Sequence, residues 1–496
     1  MPNKNSPKPT PLPKLAKLRL ALLYSCPAAL FCSYFPLIPL VSTPSTNYEL
    51  SLSLIWLFLF SVLSLKDAFH YIYNIYSAFR ADHSPKRLLP LSLIFFPLYL
   101  ALSALWSANP LRAILTAGIF CCLLISAIGV LSLAQAKAFS SRKFLKTFLL
   151  TSCAFSILCW FQTLLDIFGV DRSITLLCAG CTSYSFGFPH PSGLAIEPQF
   201  MGNLLLAPTF LALHYFAQPK SHSSAPLCHS SIAFVAFLLT STLFLTFSRG
   251  AIYSFAVAFL LLVALSFVRL KQRSWLKTIP LVVISFFFTL FMQGFFSAIS
   301  YTDSTFASGL EKSLSQLSLG QINLQLSPAT DSSTIDSPSP ASSDFAPAIP
   351  SRPTPAFSGY VEESTDVRIN FNRIALDLST KSPTKLLFGF GLGSAGTVMY
   401  QEGKTATPYE IVQNEYLSLL LETGLVGLLL ALAALLATLL PLKTLLAPAR
   451  YLSGAIILAF LLSLLFFSGL PNALHVYLFP VFIVACFLPK HKPIIN

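Results

Sequence analysis

The chain has 496 residues, 54% of them hydrophobic and 10% charged, with a mean hydropathy of +0.70. A soluble domain carries about 25% charged residues, and the apolar runs here repeatedly exceed the roughly 18 residues that cross a ~30 Å hydrocarbon layer. This excludes an ordinary water-soluble enzyme, and the formal charge of +13 follows membrane orientation rather than nucleic-acid binding.

Hydropathy predicts an all-α polytopic membrane protein with about twelve transmembrane helices, at 18–40, 49–65, 88–107, 111–134, 146–169, 191–215, 230–247, 250–269, 278–298, 413–440, 451–469 and 472–489. A short basic tail (Lys4, Lys8, Lys14, Lys17, Arg19) precedes the first run. That run lacks a small-x-small cleavage site and is too long for a signal core, so it reads as a span. With the N-terminus in the cytoplasm, most of the 32 Lys and Arg face inward, whereas only Asp67 and Asp82 of the 19 acidic residues do. An even number of spans then leaves both termini cytoplasmic.

Three regions follow. Residues 1–298 form a bundle of about nine spans, 299–412 a large extracytoplasmic loop, and 413–496 the last three spans. Within the loop, about 313–355 is rich in Ser, Pro, Ala, Thr and Asp and buries too little apolar surface to fold alone. At about 361–380 the pattern changes: Ile369, Phe371, Ile374 and Leu376 recur near helical spacing among Arg368 and Arg373, which predicts an amphipathic helix. Pro383 stops it. The glycine run Gly389-Phe390-Gly391-Leu392-Gly393 then makes a turn of close backbone approach. It follows no strand of a βαβ unit, so a nucleotide loop is excluded by context.

Charged groups beside a span need partners or a task. Arg249, Arg368 and Arg373 all fall on the outer side, and a guanidinium is a rigid fork of donors suited to a diphosphate. Snorkelling to lipid headgroups is the alternative for Arg249. Glu197, just before Pro198, is expected to pair with an arginine, orient a loop or act as a base. Gln413, Asn414, Glu415 and Tyr416 open the tenth span, with Asn414 a candidate helix cap. Glu422, seven residues beyond Glu415, can share its helix face. His475 is placed at the outer start of the last span. Cys178 and Cys181 form a CAGC pair; with His190 they supply at most three ligands, which favours a disulfide or free thiols over a metal site.

Taken together, these pieces resemble the O-antigen ligase family, grouped with the O-antigen polymerases. They are Ser248-Arg249-Gly250, the R-x6-A-L that starts at Arg368, the GFGLGS of Gly389 to Ser394, and the N-E-Y-L…E-x-G-x-x-G of Asn414 to Gly427. The resemblance implies a glycosyltransferase of the bacterial inner membrane, working without metal or cofactor. Its donor would be a glycan on undecaprenyl diphosphate, and its acceptor the lipid A–core or another surface acceptor. Arg249 and Arg368 would match the family's two functional arginines. On this reading Arg249, Arg368, Gln413 and Glu415 are the catalytic candidates, and Arg373, Glu197, Asn414, Tyr416 and His475 contribute to substrate binding.

The sequence departs from the family pattern at one position: Gln413 stands where ligases of this family carry a histidine. Glutamine hydrogen-bonds but is no base near neutral pH, so Glu415, Glu197 and His475, in that order, are the expected substitutes. Asn372 stands where relatives commonly have an aromatic. A polymerase that extends carrier-linked repeats is the nearest alternative, and a transporter a more distant one.

Overall fold

The computed structural model describes residues 14–35, 38–43, 46–81, 88–136, 138–168, 190–218, 229–269, 273–300, 305–318, 360–468 and 473–489. Most of these are helical. The long helices are α1 (Lys14–Phe31), α2 (Leu52–Ala81), α3 (Leu88–Ser103), α4 (Pro110–Gln135), α5 (Ser141–Ile167), α6 (Pro198–Ala217), α7 (His229–Leu245), α8 (Arg249–Val268), α9 (Thr278–Ile299), α14 (Glu415–Thr438), α15 (Ala447–Ser463) and α16 (Leu474–Phe487). Shorter or surface helices are α10 (Phe306–Leu317), α11 (Tyr360–Ser379), α12 (Pro383–Phe388) and α13 (Ala395–Gln401).

Among the described residues, eight helical stretches are long and apolar enough to cross a membrane. Three shorter apolar helices (Ser230–Leu245, Ala447–Ser463, Leu474–Phe487) and α1 occupy the remaining expected runs. The first run differs from expectation. It leaves the helix at Phe31, and the chain then forms an antiparallel hairpin, β1 (Ile38–Thr43) with β2 (Thr46–Leu50), pairing Ile38 with Leu50. The sequence carries Pro36 and Pro39 beyond that end, and a helix continued through either would lose the N–H bond that each lacks. Between α1 and the hairpin, the Tyr34 N–H donates to the Leu194 carbonyl, just ahead of α6, at 3.0 Å.

Helix α6 is the axis of the bundle. Leu204, Leu205, Leu206, Leu211 and Leu213 are all fully buried on it, around its circumference. The outer helices turn Phe58, Leu260, Phe287 and Leu429 outward, as lipid-facing helices do. Between helices in lipid there is little hydrophobic drive, so close packing of small residues carries the contact. Gly202 of α6 packs on Ser248 and Ala251, and Gly250 packs on Phe466. A side chain at either glycine would push the α6, α8 and α15 ends apart.

The segment expected to be amphipathic is helical as α11. Its buried Ile374, Ala375 and Leu378 join Val398, Met399, Val412 and Leu421 in a small separate core. Thus α11 is docked on the first turns of α14 rather than lying free. The Ser/Pro-rich stretch lies outside the described residues beyond its first few, which close α10. Cys178 and Cys181 also lie outside them.

Candidate functional site

The glycine run acts as a clasp. Phe390 and Gly391 N–H groups donate to the Leu421 and Glu422 carbonyls at 3.0 and 2.7 Å. Those carbonyls are free because α14 breaks at Gly424, whose φ of 65° is left-handed. The other edge of the clasp lies on the α3–α4 turn, where Ser107 Oγ donates to the Leu392 carbonyl at 2.8 Å. Gly391, at φ 94°, sits against the Ser107 backbone, and Gly393 against the stem of Arg112. Only glycine fits such positions. The clasp thereby ties the matched motifs of the loop to the ends of α3, α4 and α14.

These ends enclose a polar cavity of about 280 Å³. Its wall includes Arg112, Thr116, Glu197, Gln413, Glu415 and Glu422. Asn414 caps α14 through its side-chain oxygen, which accepts from the Tyr416 and Leu417 N–H groups at 3.0 and 3.1 Å. The cap leaves Glu415 in the first turn, where the helix dipole favours a carboxylate. Glu415 is 6% exposed, and its Oε1 accepts from the Tyr477 hydroxyl of α16 at 2.7 Å. Glu422, two turns along the same face, accepts from the Ala395 N–H at 3.1 Å and feels the positive charge of Arg112.

Glu197 is the residue before α6, and its side chain lies at the cavity wall. Water reaches it, yet protein surrounds it on most sides. That partial desolvation raises its carboxyl above the ordinary carboxylate range, and the charge of Arg368 acts in the opposite sense. Arg368 donates to Gln199 Oε1 at 3.4 Å, and the Gln199 amide donates to the Phe466 carbonyl at 2.8 Å. Phe466 in turn packs on Gly250, the neighbour of Arg249. Arg249 is half-buried in the first turn of α8, which Ser248 caps. The elements that carry Arg249 and Arg368 therefore meet at one end of the bundle, joined through Gln199 and Phe466.

Three expectations are corrected, those for Arg373, Tyr416 and His475. Arg373 is exposed and does not line the cavity; five residues past Arg368 on a helix, it points to another side of α11. Asn414 is the helix cap that its position suggested. Tyr416 donates to the Leu461 carbonyl at 2.8 Å and lines a neighbouring apolar cleft instead. His475 is fully buried between the rings of Phe460 and Phe479, so it does not reach the cavity from its position at the turn.

Three residues enter the site that sequence reading passed over: Arg112, Gln199 and Tyr477. Arg112 follows Asn109-Pro110, a capped helix start at the head of an apolar run, and that position is the only local sign of it. Gln199 and Tyr477 owe their places to partners remote in sequence. Among the described residues, no group of three or more His, Cys, Asp or Glu is arranged to hold a metal ion.

A bundle of apolar helices with an enclosed polar cavity at one end, walled by carboxylates and flanked by arginines, defines a multi-pass membrane protein with a site at the membrane edge. Residues 234–432 match the family model Wzy_C, described as O-antigen ligase. That segment is similar to the O-antigen ligase family, and it contains Arg249, Arg368, Gln413, Glu415 and Glu422. No curated protein matches the chain.

Proposed function

We propose that this protein transfers a glycan from an undecaprenyl-diphosphate carrier to a hydroxyl of an acceptor, the lipid A–core or another surface acceptor. The reaction takes place on the outer side of the bacterial inner membrane. The observation that carries the reading is one cavity holding Glu197, Gln413 and Glu415, with Arg368 beside Glu197. The orientation rests on charge. Lys66, Arg80, Arg142, Lys143, Arg273, Lys443 and Arg450 all fall toward the opposite end of the bundle, where α2, α8 and α14 finish and α5, α9 and α15 begin. The excess of cations on cytoplasmic ends then turns the cavity outward.

In this mechanism Arg249 and Arg368 hold the diphosphate and stabilise the charge it gains on leaving. The acceptor oxygen attacks the anomeric carbon. The bond from that carbon to the phosphate oxygen breaks, and the carrier departs as its diphosphate. Glu415 takes the hydroxyl proton, the task Gln413 cannot perform. Gln413 hydrogen-bonds the incoming sugar, and Glu197 orients Arg368.

The test supplies purified protein with carrier-linked oligosaccharide, with and without a lipid A–core acceptor, and resolves products by mass. A ligase adds the finished chain to the acceptor. Carrier-linked products of multiplied length, formed without acceptor, identify a polymerase instead; the glutamine at 413 favours that second reading. No change in either lipid refutes glycan transfer.

A further inference from the structure

Ahead of α6, the segment 190–197 reaches both arginine-bearing elements. At one end the His190 ring lies edge-on to Phe247, with centroids 5.7 Å apart. Phe247 joins α7 to α8, and Ser248 and Arg249 follow it. Its φ is 47°, a left-handed backbone that a bulky residue holds only where its neighbours enforce it. At the other end Glu197 feels the charge of Arg368, and Gln199, in the first turn of α6, accepts from that arginine at 3.4 Å. One short stretch of chain thus runs from the neighbour of Arg249 to the partners of Arg368.

Gln162 holds that stretch in its middle. It lies on α5 and is fully buried. Its amide nitrogen donates to the Gly193 carbonyl at 2.9 Å, and its amide oxygen accepts from the Gly193 N–H at 3.0 Å. Satisfying both backbone groups of one residue takes a side chain that is donor and acceptor at once. Gly193, at φ 61°, makes the turn there. The Tyr34 N–H takes the next carbonyl, that of Leu194, at 3.0 Å. Removing the Gln162 amide would leave two buried backbone groups unpaired, at a cost that favours opening the loop to satisfy them.

We infer that Gln162 is a positioning residue: by clamping Gly193 it fixes, through one loop, where Arg249 and Arg368 stand relative to each other. This deepens the proposed transfer and rests on its two-arginine grip on one diphosphate. Gln162 is not among the residues that line the polar cavity, so it acts through the loop and not on the substrate. With the clamp cut, His190 is released to shift on Phe247, and Glu197 and Gln199 to shift on Arg368. The spacing of the two cations then no longer matches the group they hold.

The test is hydrogen exchange of the full chain in lipid nanodiscs, read by mass spectrometry, together with binding of radiolabelled farnesyl diphosphate. Gln162→Met keeps the bulk and removes both bonds. It is expected to speed exchange at least about tenfold in peptides covering 190–199, 247–252 and 366–373, because local opening follows lost protection. Thr163→Val, the next position on α5, gives up a buried bond to the Cys159 carbonyl and is expected to leave those peptides unchanged. Farnesyl diphosphate is expected to bind about fivefold more weakly to Gln162→Met. In Arg368→Ala the added Gln162→Met is expected to weaken binding no further, since one cation alone has no spacing to keep. Should Gln162→Met fail to fold, Gly193→Ala disturbs the same joint from the loop side, its Cβ 3.1 Å from Met201 Sδ. Wild-type exchange in those peptides overturns the inference, as do binding losses that simply multiply in the double variant. If the wild type takes up no farnesyl diphosphate, the two-arginine grip falls, and exchange alone decides whether Gln162 sets the loop.

Discussion

Glu415 and Tyr477 meet across the contact between α14 and α16, the tyrosine hydroxyl donating to the carboxylate at 2.7 Å. The two residues are 62 positions apart. Glu415 borders the polar cavity and the apolar cleft, and Tyr477 borders the cleft alone, so the bond aims the carboxylate from the membrane side. Tyr477→Phe keeps the ring and removes the donor. It is expected to lower glycan transfer about tenfold and stability by about 1 kcal/mol, the usual worth of one such bond. Initial rates and thermal unfolding of the purified variant check both. An unchanged rate separates Glu415 from the chemistry.

Arg368 is held by Gln199, which is itself anchored on the Phe466 carbonyl. Arg368→Ala is expected to abolish transfer in a protein that still folds, because Arg368 is half-buried midway along α11 and its neighbours Val367 and Ile369 are exposed. Gln199→Ala is expected to reduce transfer several-fold by loosening the arginine. Normal transfer by stably expressed Arg368→Ala removes it from the mechanism.

Glu197 gives a pH signature. Its carboxyl is raised above the ordinary range, so the folded state favours the protonated form relative to the unfolded chain. The stabilisation this gives is complete below the unfolded-state pKa and is lost as pH rises through the folded value. Glu197→Gln is expected to flatten that fall. Arg368→Ala, by removing the opposing charge, is expected to move the fall to higher pH. Unfolding temperatures between about pH 4 and 8 check both directions. A curve identical to wild type in Glu197→Gln contradicts the assignment.

The clasp predicts a contrast between two glycines. Gly391 has φ 94° and lies against the Ser107 backbone, whereas Gly403 has φ 65° and open space, with no atom within 4 Å of where a Cβ would stand. Gly391→Ala is expected to destabilise by about 2–4 kcal/mol, strain and clash together. Gly403→Ala is expected to cost about 1 kcal/mol, strain alone. Equal effects in denaturation of the two variants argue against the clasp.

Much of this fold was legible from hydropathy, because a helix that must cross lipid writes its whole length in apolar residues. The departure at 32–50 falls where Pro36 and Pro39 stand in the apolar run, each without the N–H that a continued helix would use. At the site, Glu197, Gln413 and Glu415 were readable as polar groups at span ends, and Arg368 as the charged side of an amphipathic helix. Arg112 was not, since one arginine at a helix start looks like any interfacial anchor. Gln199 and Tyr477 gain their meaning from partners far along the chain. His475 misled for the opposite reason: its place at a turn suggested access, while the packing of Phe460 and Phe479 buries it.

The most direct test of the central claim follows release of free undecaprenyl diphosphate from carrier-linked glycan by the purified protein with acceptor present, in wild type and in Glu415→Gln. Stoichiometric release matched by glycan gain on the acceptor, and its loss in Glu415→Gln, is the predicted result. Release that continues unchanged in Glu415→Gln, or none from wild type, contradicts a glycan transferase built on this cavity.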